Sequence, residues 1–225
     1  MNHLNLLSFI CLVLWIVYIK VMLGKPEKTR NGFMFFQLLI VLLYNTFIII
    51  IFPYKVPVEF STLSYFVVPF IVLFNIKDLK LWAAFSALLS GGGYFLSMVV
   101  NGNGLYSHFP VYSVATSLFN HGSLLAFAVI TLLTYDIKKN DKYILLGGVL
   151  FNITWATLIR PFVLHPGRIF ILEILDASIV RMYYPGSLYI GIPVYFVIAF
   201  SLLFLSIKIV YVTNNLYKNK VILKK

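Results

Sequence analysis

The sequence predicts an all-α membrane protein, a polytopic bundle of about seven helices, and three observations lead there. Hydrophobic residues make up 61% of the 225 positions and charged residues only 11%, with a mean hydropathy of +0.94. A water-soluble domain with so little charge would aggregate. The apolar residues also gather into runs of about twenty, the length at which a helix crosses a hydrocarbon core of ~30 Å. Finally, the lysines and arginines fall mostly between the runs and on one side of them, the pattern that sets membrane orientation.

Taken in order, the runs predict spans at roughly 4–23, 33–53, 59–75, 80–100, 113–135, 143–164 and 188–211, a single integral membrane domain over residues 1–225. The first run has no basic segment before it and no small-residue cleavage site after it, so it reads as a retained helix rather than a signal peptide. Its basic flank, Lys20 through Arg30, follows it. With alternating spans, all of the 18 basic residues except Lys55, Arg160, Arg168 and Arg181 fall on the side of this first loop. The bias predicts the N-terminus outside and the C-terminus in the cytoplasm. Lys218 to Lys225 read as part of this orientation signal, in contact with lipid headgroups.

Several elements carry finer expectations. Pro69, inside the third span, removes a backbone donor, so that helix should kink or find a neighbour for the freed carbonyl. In the fourth span Ser90, Tyr94, Ser97 and Asn101 share a face, and Gly91 to Gly93 permit close approach by another backbone. Asn101 to Tyr112, uncharged and rich in Gly and Asn, reads as an external loop in which His108 is solvated.

The candidate chemistry lies in two polar islands. Val56 to Pro69, V-P-V-E-F-S-T-L-S-Y-F-V-V-P, sets Ser61, Thr62 and Ser64 at the mouth of the third span. Ser113, Ser117 and His121 form one stripe on the fifth span with Asn120 beside it, and His121 should lie roughly 10 to 12 Å below that span's outer end. An ionisable group at such depth is costly unless it has a partner, and marks a functional site by default. In the sixth span Asn152, Ala156 and Arg160 share a face, Arg160 about one turn from the outer surface. There it either snorkels to headgroups or anchors a phosphate or carboxylate. The following segment, His165 to Ser187, carries Glu173 and Asp176 on a stretch able to lie along the interface as an amphipathic helix or to re-enter between spans.

Other chemistries are disfavoured. The basic residues sit in loops rather than on one face, which argues against nucleic acid despite a net charge of +11. Cys11 is the only cysteine, so neither a disulfide nor a cysteine metal site can form, and no P-loop, dinucleotide fingerprint or zinc motif is present. No cofactor and no metal are expected.

The order of spans, the V-P-V-E-F-S-T-L-S block, the N-H-G-S-L-L block in the fifth span and the late P-G-S-L-Y-I-G-I-P-V-Y-F together resemble the YwaF-like integral membrane family. That family is related to the transmembrane protein 164 family and, more remotely, to the androgen-induced membrane hydrolases. In these relatives a cysteine or threonine acts with a histidine on fatty-acyl esters. The resemblance lays the L-P-L-x-x-C cysteine on Ser61 and the histidine on His121. Here serine replaces the thiol and therefore needs stronger help from a base. Thr62 is the alternative hydroxyl if the register moves by one.

The function expected is that of a lipid acyl hydrolase or acyltransferase near the outer leaflet of a cell membrane, the bacterial plasma membrane, with membrane lipids as partners. Ser61 would be the nucleophile and His121 the base, with Asn120, Asp176 or Glu173 in support. Arg160, Asn152, Ser117 and Tyr94 would contact substrate. The competing expectation is a small-solute transporter or a substrate-binding membrane subunit whose pocket the same polar residues line.

Overall fold

The computed structural model describes residues 3–51, 60–106, 109–138, 140–163 and 188–222, and no strand occurs among them. The helices are α1 (Leu4–Leu23), α2 (Glu27–Ile51), α3 (Phe60–Leu73), α4 (Lys80–Tyr106, entered through a 3-10 turn at Lys77–Leu79), α5 (Val111–Thr134), α6 (Asp141–Val163) and α7 (Leu188–Ile222). Four stretches of these are long and apolar enough to cross a membrane: Leu4–Leu23, Glu27–Ile51, Lys77–Gly104 and Val111–Thr134. The chain divides into two compact units, Met1–Val149 and Leu150–Lys225.

In the first unit α5 is the axis. Within its most apolar stretch 72% of residues are buried, against 17% for α1 and for α2. The outer helices instead turn Leu6, Phe9, Leu14, Val17, Phe36 and Phe47 outward, each more than half exposed. Apolar side chains displayed along whole helices suit a hydrocarbon solvent rather than water.

Polar contacts fix the direction of these helices. The start of α1 bonds to the end of α4. The start of α2, the end of α3 and the start of α4 line one cavity at the opposite end. Consecutive helices of this unit therefore run antiparallel, and Lys28, Arg30, Lys77 and Lys80 collect at one end.

Helix α3 runs through Pro69 and stops in a Schellman motif. Asn75 takes the left-handed conformation (φ 52°), the Asn75 N–H bonds the Val72 carbonyl at 3.1 Å and the Ile76 N–H bonds the Ile71 carbonyl at 2.9 Å.

The segment from Asn101, expected as loop, is instead helical as far as Tyr106, after a break at Asn101 (φ −142°, ψ 35°). The reason is a substitute for lost backbone bonds. In an unbroken helix the Asn103 N–H would reach the Val99 carbonyl. Here the Asn5 side-chain amide stands between them, accepting from Asn103 N–H at 2.9 Å and donating to the carbonyls of Val99 (3.1 Å) and Val100 (3.0 Å). Asn103 returns the favour, its Oδ1 accepting the Leu4 N–H, an otherwise unbonded donor in the first turn of α1, at 2.8 Å. One pair of asparagines thus closes a helix break and caps a helix start.

Glycines set the closest helix approaches. A Cβ on Gly91 would lie 2.6 Å from the His121 carbonyl oxygen and 2.8 Å from the Leu125 amide nitrogen, so α4 and α5 touch backbone to backbone there. Gly92 and Gly93 have open space at that position. Gly122 seats the Trp15 indole of α1, and Gly148 seats the Trp82 indole of α4.

The second unit contains the later part of α6 together with α7, and Asn152, Val210 and Asn214 are buried in it. At 35 residues α7 is about 52 Å long, more than the ~30 Å hydrocarbon thickness.

Candidate functional site

His121 is only 5% exposed and stands ten residues into α5, about 15 Å from its start and so near its middle. The helix begins two residues before Ser113, which adds to the depth. A half-apolar imidazole is held there because three neighbours come from two other helices. Tyr65 of α3 brings its hydroxyl to 2.6 Å from Nε2. Ser90 of α4 brings its hydroxyl to 3.5 Å from Nδ1. Tyr94, one turn along α4 from Ser90, stacks face to face on the imidazole with centroids 3.9 Å apart and planes 8° apart.

Both ring nitrogens face a hydroxyl, Nε2 that of Tyr65 and Nδ1 that of Ser90. In the tautomer protonated on Nδ1, Nε2 is the acceptor and the Tyr65 hydroxyl donates to it. Both nitrogens of a neutral histidine are engaged, which removes the penalty of burying bare polar atoms in an apolar layer. Gly91 makes the geometry accessible, because only without a Cβ there can α4 come close enough to α5 for Ser90 and Tyr94 to flank the ring.

Ser61 lies in the first turn of α3, four residues before Tyr65, hence on the same face and about 6 Å nearer the start of the helix. The side chains of Ser61 and Thr62 lie outside the described residues, as does that of Arg160, whose backbone belongs to α6. Glu173 and Asp176 lie wholly outside them. Asn120 is buried beside His121 on α5, Ser117 is half-buried one turn earlier, and Asn152 is buried in the second unit. Tyr94, expected to meet substrate, meets the imidazole. Ser90, expected on a shared polar face, meets it too.

The residue that sequence reasoning missed is Tyr65. Its signal was present: the phenol stands one helical turn after Ser61 and four residues before Pro69, inside the polar stretch already singled out. Ser123, 1% exposed, adds another buried hydroxyl two residues beyond His121. Among the described residues no group of three or more His, Cys, Asp and Glu side chains is arranged to hold a metal ion.

With its proton on Nδ1, the ring can accept a proton at Nε2 from a hydroxyl and return it, while Ser90 holds the other side. Comparison with known proteins gives no match to any family model, any curated protein or any solved structure.

Proposed function

We propose that the chain is a multi-pass protein of the bacterial plasma membrane, crossing it seven times with the N-terminus outside, and that it hydrolyses or transfers acyl groups of lipid esters. The orientation rests on the basic residues, of which Lys28, Arg30, Lys77 and Lys80 share one end of the first unit. Kinship with YwaF-like proteins belongs to the same proposal and rests on the short blocks around Ser61 and His121. The observation that carries the chemistry is an imidazole whose Nε2 faces α3, 2.6 Å from the Tyr65 hydroxyl, which stands one turn along that helix from Ser61.

In the proposed step the Ser61 oxygen attacks the ester carbonyl carbon, and its proton passes to Nε2 of His121 as Tyr65 gives up that nitrogen. The released phenol donates to the developing oxyanion. Collapse of the tetrahedral species breaks the ester bond, and the departing lipid alcohol takes the proton back from His121. Water or a second lipid hydroxyl then attacks the acyl-serine by the same route. The test is labelling of native membranes by a lipophilic fluorophosphonate. Wild type should label, and Ser61→Ala and His121→Gln should lose at least nine-tenths of it, since general-base help alone is worth ~10²- to 10⁴-fold. Equal labelling of Ser61→Ala and wild type ends the serine reading.

A second reading, favoured by the mid-helix position of His121 and the engagement of both its nitrogens, makes the polar core a solute site of a transporter or of a substrate-binding membrane subunit. Uptake by proteoliposomes that is abolished in His121→Gln, without any fluorophosphonate labelling of wild type, would select it.

A further inference from the structure

At the end of the first unit remote from the Asn5–Asn103 contact, a cavity of about 250 Å³ opens between the start of α2, the end of α3 and the start of α4. Its floor is apolar, formed by Met34 and Ile71, both nearly inaccessible, and by Phe127 of α5. Its polar lining residues are Lys77, Lys80, Asn31 and Asn75, and no acidic residue lines it. Among the described residues no acid comes within ion-pair distance of Lys80, for which Glu27 is a more distant charge, and Arg30 stands near it as a further cation. The Arg30 Nε is buried without a hydrogen-bond partner among those residues.

A fold gathers like charges around a hollow at a cost that an opposite charge removes. The hollow is smaller than the ~300 to 1,000 Å³ that takes in a whole small-molecule ligand, so it suits a headgroup whose chains remain outside. The chains have a place to go, because Phe35 on its rim and Phe36 and Phe33 beside it on α2 are exposed. Lysines at this level of a membrane face anionic headgroups.

We propose that this cavity binds the phosphate headgroup of an anionic phospholipid, with Lys77 and Lys80 on the phosphate oxygens and Asn31 donating beside them. The site is independent of the acyl chemistry proposed for His121 and is tested without it. The full chain would be placed in phosphatidylcholine nanodiscs, alone or with a tenth of the lipid as phosphatidylglycerol, and the lipid retained by the protein counted by native mass spectrometry. Wild type should retain phosphatidylglycerol over phosphatidylcholine by about tenfold, a preference within reach of two lysines near a membrane surface. The double variant Lys77→Gln, Lys80→Gln should lose it, while Lys142→Gln, on an exposed position of α6, keeps it. Because Lys77 is exposed and Lys80 only half-buried, the change to glutamine leaves the core intact, and an unchanged helical circular dichroism spectrum verifies this. Equal retention by the double variant and wild type overturns the proposal. So does displacement of the lipid by millimolar inorganic phosphate alone, which would identify a free-anion site instead.

Discussion

The Tyr65 hydroxyl reaches Nε2 of His121 at 2.6 Å, joining α3 to the most buried helix of the first unit. The bond fixes the ring from one side while Ser90 holds the other. Removing the phenolic oxygen leaves Nε2 buried without its hydroxyl partner. Tyr65→Phe should therefore destabilise the protein by about 1 to 2 kcal/mol, the range for hydrogen bonds between membrane helices and for buried polar atoms left without a partner. A double-mutant cycle of Tyr65→Phe with His121→Phe, read by unfolding in mixed micelles, should give a coupling of about 1 kcal/mol. Strict additivity would mean that the two side chains do not act on one another.

The three consecutive glycines of α4 should respond unequally to alanine. At Gly91 the new methyl meets the His121 carbonyl oxygen and the Leu125 amide, neither of which can step aside. Gly91→Ala should cost about 1 to 3 kcal/mol, as overpacking does. Gly92→Ala meets open space and should be neutral or stabilising by up to about 1 kcal/mol through helix propensity. Thermal denaturation of the two variants in one detergent compares them directly, and equal melting temperatures would contradict the backbone contact.

Asn5 and Asn103 act as one unit across α1 and α4. Asn5→Leu removes one acceptor and the donor to two carbonyls, and should cost about 1 to 3 kcal/mol. Asn103→Ala removes the cap on Leu4 N–H and should cost about 0.5 to 2 kcal/mol. In Asn5→Leu, amide hydrogen exchange at Asn103 should accelerate, while exchange at His121 stays slow. Unchanged exchange at Asn103 would remove Asn5 from its role at the break.

The antiparallel order of the first unit predicts which loops share a side of the membrane. With Cys11→Ser as background, single cysteines introduced as Lys25→Cys and Lys77→Cys should react with an impermeant maleimide from the same side, and Phe109→Cys from the other. Sealed inverted and right-side-out vesicles distinguish the two. Reaction of Lys25→Cys and Phe109→Cys from one side would break the alternation.

The helices themselves were legible because composition and run length are local quantities. The ends were harder. Helix α2 starts at Glu27, ahead of the apolar run, because the polar E-K-T-R-N segment also takes helical form, and α4 outlasts its apolar run because of Asn5. That second effect joins residues 94 to 99 positions apart, which no window along the chain can detect. His121 stood out as a lone ionisable residue among apolar neighbours. Its partners were not, since a tyrosine within an apolar helix looks the same in sequence whether its hydroxyl meets lipid headgroups or an imidazole. Gly91 could not be told from Gly92 and Gly93, because only the rotation of α4 against α5 separates them.

The linked asparagines also bear on how the chain is made. When α1 leaves the ribosome, the groups that will bond Leu4 and Asn5 are still nearly a hundred codons from being translated. Those bonds of α1 therefore form only after α4 has been made. A segment made before its partners is in this way secured only once α4 exists.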